Sequence, residues 1–210
     1  MKSLNPFPYI YKAKFDFDWK ALKGPVKGHL SAAAERIQEY NINTHEKDGG
    51  VSSVVINKIY PPHAWNEFEE FRPWLFNQVD DLWNRWNLAP MERHLDASWI
   101  NVHPPGAYTE EHHHQNVTIA VAAYLHVPKD SGRFMIKNPL LPYLYSMPLH
   151  YYYFDDKREW EYIEVESGDV LFFPGWMTHK TEKNLSDKDR YVMSLNIMGN
   201  YVNDASSIRY

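Results

Sequence analysis

Apolar and polar positions change their period along this chain near Met91. Upstream, two stretches carry apolar residues at helical spacing. Leu22 to Tyr40 contains Ala32-Ala33-Ala34 after a Gly/Pro-rich start, and ends at Asn41. His63 to Trp86 carries Trp65, Phe68, Phe71, Trp74, Leu75, Val79, Leu82 and Trp86, with Pro61-Pro62 ahead of it and Pro90 behind. Phe7 to Phe15 alternates as an opening strand, and Asn43 to Val55, with Gly49-Gly50, reads as loop plus a short strand. Downstream, the pattern predicts strands at Leu95 to His103, Val117 to His126, Arg133 to Ile136, Tyr151 to Phe154, Glu159 to Val165, Asp169 to Phe173, Thr178 to Lys183 and Tyr191 to Val202. Turn residues separate them, among them Pro104-Pro105-Gly106, Ser167-Gly168 and Pro174-Gly175. Short strands at this spacing predict a mainly β, double-sheet jelly roll or barrel rather than βαβ units. The two helices are expected to pack on one sheet from outside. The chain reads as one domain, with residues 1–90 as helical support and 91–203 as the jelly-roll core.

Bulk properties narrow the function classes. With 210 residues the chain is long enough to bury a substantial core. A formal net charge of −5, with scattered lysines and arginines, gives no electrostatic footprint for nucleic acid. The absence of cysteine rules out disulfides and thiolate metal sites. The start, MKSLNPFPYIYKAKF, has no apolar core of a signal peptide, and the longest apolar run, Val117 to Leu125, falls short of the roughly 20 residues that span a bilayer. We therefore expect a soluble cytoplasmic protein that meets a small-molecule or peptidyl substrate and no membrane. The 8 Trp and 15 Tyr are compatible with an aromatic pocket, a large β core or a homodimer interface.

The chemistry concentrates in histidine. His112 and His114 stand ahead of an apolar strand, and extended backbone points residues i and i+2 to one side, so both aim at one point while His113 faces away. His179 follows a second strand and can close a three-ligand face on a metal, leaving the opposite positions open. Eleven histidines make a single His-x-His pair easy to obtain by chance, and a solvated loop is its plain alternative. The fixed turn Pro174-Gly175 ahead of His179, and the apolar strand behind His114, favour the metal. Arg190 opens the last strand. Under period 2 it shares a face with Val192, Ser194 and Asn196, while Tyr191, Met193, Leu195 and Ile197 form a wholly apolar face. A guanidinium on a polar barrel lining suits a carboxylate, although a surface ion pair is its ordinary use. Trp176, three residues before His179, is placed either on the pocket wall or in the core, and Asn138 to Phe154 either as a substrate lid or as a packed connection. His63, His126 and His150 are read as structural or surface histidines. No Ser/His/Asp order or phosphate loop is present.

Together these segments bring a family into view. The chain resembles the iron(II)- and 2-oxoglutarate-dependent oxygenases, within them a small group of marine bacteria and phages. The likeness rests on Trp99-Ile100-Asn101-Val102, Pro105-Gly106, His112 to Asn116, Ala122-Ala123-Tyr124-Leu125, Gly168 to Trp176 with His179, Asn184-Leu185-Ser186, and Arg190 with Ser194 to Ile197. The resemblance implies a double-stranded β-helix of the cupin-like jelly-roll type, Fe(II) at His112, His114 and His179, and 2-oxoglutarate as co-substrate with its distal carboxylate on Arg190. It implies oxidative decarboxylation to succinate coupled to hydroxylation of an unactivated C–H bond. Asn101, Tyr108 and Ser194 are expected to add hydrogen bonds to the co-substrate, and Tyr124 with Trp176 to wall the substrate pocket. The wider superfamily has a carboxylate where this chain has His114; Glu110 and Glu111 are the neighbours able to supply one. Two alternatives therefore stay open: a three-histidine dioxygenase that does not use 2-oxoglutarate, and a non-catalytic jelly-roll module with a structural metal.

Overall fold

The computed structural model describes residues 10–39, 50–139, 141 and 159–200. Strand β1 (Tyr11–Lys14) leads into helix α1 (Trp19–Glu39), and β2 (Val51–Ser52) is followed by a short turn of 3-10 helix. Helix α2 spans Phe71–Arg85. Then come β3 (Glu92–His103), β4 (Ile119–His126), β5 (Phe134–Lys137), β6 (Trp160–Ile163), β7 (Asp169–Pro174), β8 (His179–Thr181) and β9 (Arg190–Asn200). The expected strand at Tyr151 to Phe154, most of the expected lid, and His150 lie outside the described residues.

The strands form two antiparallel sheets: six strands in the order β1-β7-β4-β9-β3-β2, and three in the order β6-β5-β8. This is the jelly roll expected from the strand spacing. The larger sheet is buried on both faces, which explains why its central strands are nearly continuous in apolar residues. Alternate residues divide between two cores. Val121, Ala123, Leu125, Val170, Phe172, Met193, Leu195 and Ile197 pack with Leu22 and Val26 of α1 and with Phe71, Leu75, Val79, Leu82 and Trp83 of α2. Ala120, Ala122, Tyr124, Leu171, Phe173 and Val192 face inward to Phe134 and Ile136 of the small sheet. The apolar face read for β9 is thus the helix side, and its polar face lines the barrel interior.

Both helices depart from their expected bounds for local reasons. α1 starts earlier, at Trp19, because Asp18 accepts from the backbone N–H of Ala21 at 3.1 Å and so caps the first turn. The stretch from His63 to Trp86 is not one helix: two 3-10 turns, Pro62–Ala64 and Asn66–Phe68, precede α2. Pro73 is the third residue of α2. A proline has no N–H and its ring clashes with the carbonyl four residues back, so it is best accommodated in a first turn, as Pro73 is here. Trp65 and Phe68 still reach the core, because a spacing of three suits a 3-10 turn as well as an α-helix.

Candidate metal centre

The loop ahead of β4 and strand β8 meet as a two-residue antiparallel bridge between His112 and His179. His112 N–H donates to His179 O at 3.0 Å, and His179 N–H to His112 O at 2.9 Å. His114 N–H donates to Gly175 O at 2.8 Å, tying its backbone to the turn after β7. His112 and His114 therefore share a side, as their spacing predicts, and His113 is exposed. The rings converge, with centroids 4.2 Å apart for His112–His179, 5.3 Å for His112–His114 and 5.2 Å for His114–His179. One ligand nitrogen from each lies within 4.8 Å of the others.

The tautomers follow from the partners. His112 Nδ1 sits 2.7 Å from the carbonyl oxygen of Glu110, and His179 Nδ1 sits 2.9 Å from that of Met177. A carbonyl oxygen only accepts, so both Nδ1 atoms carry the proton and both Nε2 lone pairs are free. His114 Nδ1 lies 2.6 Å from Asn196 Oδ1, the same arrangement supplied by a side chain. Burial lowers the pKa of His114, and burial with the neighbouring His112 drops that of His179 well below its ordinary value. Neutral imidazoles with Nε2 free form a face of three nitrogen donors, which suits a divalent transition metal. Neither neighbouring carboxylate joins them: Glu111 pairs with Lys137 at 2.7 Å, and Glu110 is exposed and contributes only its carbonyl.

Gly175 fixes the approach. A Cβ built there would lie 2.3 Å from Val117 O and 2.7 Å from Val117 Cβ, so a side chain fits only if backbone moves. Gly175→Ala is expected to destabilise the fold by about 1–3 kcal/mol, the usual cost of overpacking, and to weaken metal binding by displacing His114. Urea unfolding of the metal-free variant measures the first effect; titration with a divalent metal measures the second.

Behind the triad lies a small cavity of about 40 Å³, lined by Asn101, His103, Thr109, Val121, Ala122, Tyr124, Phe134, Phe173, Thr181, Val192 and Ser194 together with the three histidines. Asn101 is held by Ser52 Oγ, which donates to its Oδ1 at 2.6 Å, and Asn101 Nδ2 in turn donates to Ser194 Oγ at 3.2 Å. Thr181 Oγ1 accepts from Thr109 N–H and from Arg190 Nη2, each at 2.9 Å. His103 Nε2 is 2.7 Å from Thr109 Oγ1, while its buried Nδ1 has no partner among the described residues. Burial, then the charge of Arg190, holds the pKa of His103 down to about 3. Burial raises the pKa of Tyr124 and keeps its phenol protonated.

Arg190 is fully buried and stands one hydrogen bond back from the cavity wall. Its Nη1 donates to Ser131 O and to Gly132 O, and Nη2 also reaches Glu182 O at 3.5 Å. Nε has no partner. Burial lowers the guanidinium pKa, opposed by Tyr124 and Glu182.

The structure thus gathers His112, His114, His179, Asn101, Ser194 and Tyr124 around one cavity, with Arg190 just outside its wall. Tyr108 is not on that wall; its ring packs against Lys183 Nζ, 5.6 Å from the ring centre. Trp176 is 55% exposed and lines a separate surface cavity of about 320 Å³ with Lys137, Asn138, Pro139, Leu141 and Thr178. It is neither a core residue nor a wall of the metal cavity. His103, Thr109, Thr181 and Asn196 were not singled out individually from sequence. The signal for three of them was the period-2 rule: His103 follows Asn101, Thr181 follows His179, and Asn196 shares the inward face of β9.

Residues 97–196 match the sequence profile of the family described as "Putative 2OG-Fe(II) oxygenase". No curated protein matches the chain by sequence. Among solved structures, a Pseudomonas putida prolyl-4-hydroxylase is similar at 12% identity and TM-score 0.54, over 91% of this chain and 93% of that one. A viral collagen prolyl hydroxylase from Paramecium Bursaria Chlorella virus-1 is similar at 10% identity and TM-score 0.55, over 95% and 96%. HygX from Streptomyces hygroscopicus, solved with nickel and 2-oxoglutarate bound, is similar at 13% identity and TM-score 0.54, over 91% and 83%. These likenesses establish the shared fold.

Proposed function

We propose, from the match of residues 97–196 to the 2OG-Fe(II) oxygenase profile, that the chain is such an oxygenase, holds iron(II) on His112, His114 and His179 and hydroxylates an unactivated C–H bond of a small-molecule or peptidyl substrate. The observation that carries this reading is the shared tautomer: three converging imidazoles each direct Nδ1 to a protein oxygen and leave Nε2 free. When bound, iron(II) with 2-oxoglutarate supplies the oxidising chemistry, releasing succinate and CO2 as oxygen enters the substrate.

The chain's own residues bind, orient and exclude water. The His112–His179 bridge and the His114–Gly175 bond set the three rings on backbone rather than on flexible side chains. Three neutral donors leave a divalent ion its full charge, and Arg190 adds a buried cation nearby, so the cavity favours a dianion. Thr181 Oγ1 already accepts two hydrogen bonds, which leaves its proton to donate towards an anion. The protonated Tyr124 phenol lines the same wall, and Val121, Ala122, Phe134, Phe173 and Val192 supply its apolar part.

One observation favours the three-histidine dioxygenase without 2-oxoglutarate: both Nη atoms of Arg190 already donate to the chain's own oxygens, leaving only Nε. Anaerobic titration with Fe(II) and 2-oxoglutarate separates the readings. A weak visible charge-transfer band that needs both components is the expected result. Iron binding without a band would move support to the second reading, and no iron binding would leave a non-catalytic module.

A further inference from the structure

The three imidazoles are not oriented in the same way. Two of them donate Nδ1–H to the carbonyl two residues earlier, Glu110 for His112 and Met177 for His179. Any residue at those earlier positions offers the same carbonyl. His114 instead uses a side chain 82 positions away, Asn196 on β9, at 2.6 Å. Asn196 pairs across the sheet with Ala97 on one side and Ala120 on the other, and these small neighbours leave its amide room to reach the ring. It is not among the residues lining the cavity, so it acts on a bound group only through His114.

We propose that Asn196 is the positioning residue of this metal centre, selecting the His114 tautomer that presents Nε2 and holding the ring in register with the other two. This rests on the triad being a metal site. An acceptor on Nδ1 both fixes ring orientation and raises the basicity of Nε2. An amide does so without adding charge, so the site keeps three neutral ligands and remains dependent on an anionic ligand for neutrality. Without the acceptor, the ring is free to rotate or to place its proton on Nε2, which removes the third donor.

Two readouts test this apart from turnover. Long-range ¹H–¹⁵N spectra of the metal-free wild type are expected to show His114 protonated at Nδ1; a proton on Nε2 would overturn the assignment, whether or not any variant folds. Metal affinity is then compared by Co(II) titration, following the d–d bands, in wild type, Asn196→Leu and Asn196→Asp. Asn196→Leu is expected to weaken Co(II) binding about 10–100-fold, and Asn196→Asp, which keeps an acceptor, to restore or exceed wild-type affinity. Wild-type affinity in a folded Asn196→Leu protein, or equal losses in both variants, would reduce Asn196 to a packing role. If the wild type itself binds no Co(II), the functional reading fails and this role falls with it. That outcome is distinguishable because the defect then appears before any substitution.

Discussion

Replacing His179 by alanine is expected to abolish iron retention and to reduce turnover to background, a loss on the order of 10³-fold or more, or about 4 kcal/mol at 1.36 kcal/mol per decade. His179 is the most central of the three. It is buried, it has Nδ1 fixed on Met177 O, and its ring lies 4.2 Å from that of His112 and 4.7 Å from Phe173. Two imidazoles cannot hold a three-donor face, and no carboxylate among the described residues stands ready as a substitute. The backbone bridge to His112 does not depend on the side chain, so the fold is expected to survive. Thermal unfolding supplies the control. At a metal concentration of 100 times Kd the wild type gains about 2.7 kcal/mol from ligand binding, and the variant gains nothing. A variant that keeps metal-linked stabilisation would show that the ion sits elsewhere.

How much of this site the chain announced depends on the kind of signal each residue leaves. His112 and His114 were legible because extended backbone has a fixed period of two, and a metal needs convergent donors. His179 was legible from its turn, where Pro174-Gly175 marks a forced path; the close contact of Gly175 with Val117 is the physical content of that signal. The alternation along β9 separated the helix-facing residues from the barrel lining, and the two cores divide along that line. Asn196 was on the correct face, yet its partner was not legible, because a hydrogen bond across 82 positions depends on register that periodicity does not supply. Trp176 illustrates the opposite failure. Proximity in sequence to His179 placed it near the site, but a residue in the turn is free of strand alternation, and it points to the outer surface. The helix starts were not legible from apolar spacing, because Pro73 and the Asp18 cap govern them. Local stereochemistry set those ends; the apolar pattern had already set which residues reach the core.

Arg190→Ala is expected to act twice, and the two effects are separable. The first is on stability. Arg190 binds the carbonyls of Ser131 and Gly132 to β8 through Thr181, so its removal leaves buried acceptors without donors and opens a cavity. Losing a desolvated cation offsets part of this, and a net destabilisation of about 2–4 kcal/mol is expected by urea unfolding. The second is on the co-substrate. Nε is the one guanidinium donor without a partner among the described residues, and the positive charge sits beside Thr181 and Tyr124 of the cavity wall. Losing a hydrogen bond to a charged group costs about 1.5–3 kcal/mol, or roughly 10- to 150-fold in the KM for 2-oxoglutarate. Arg190→Lys keeps the charge without the fork and is expected to fall between wild type and Arg190→Ala in KM. Succinate release assayed against 2-oxoglutarate concentration reads this directly. An unchanged KM in folded Arg190→Ala would assign the guanidinium wholly to the Ser131–Gly132 turn. The four donor contacts already drawn to protein oxygens would then be its entire role, and the three-histidine chemistry without 2-oxoglutarate would become the better account of the centre.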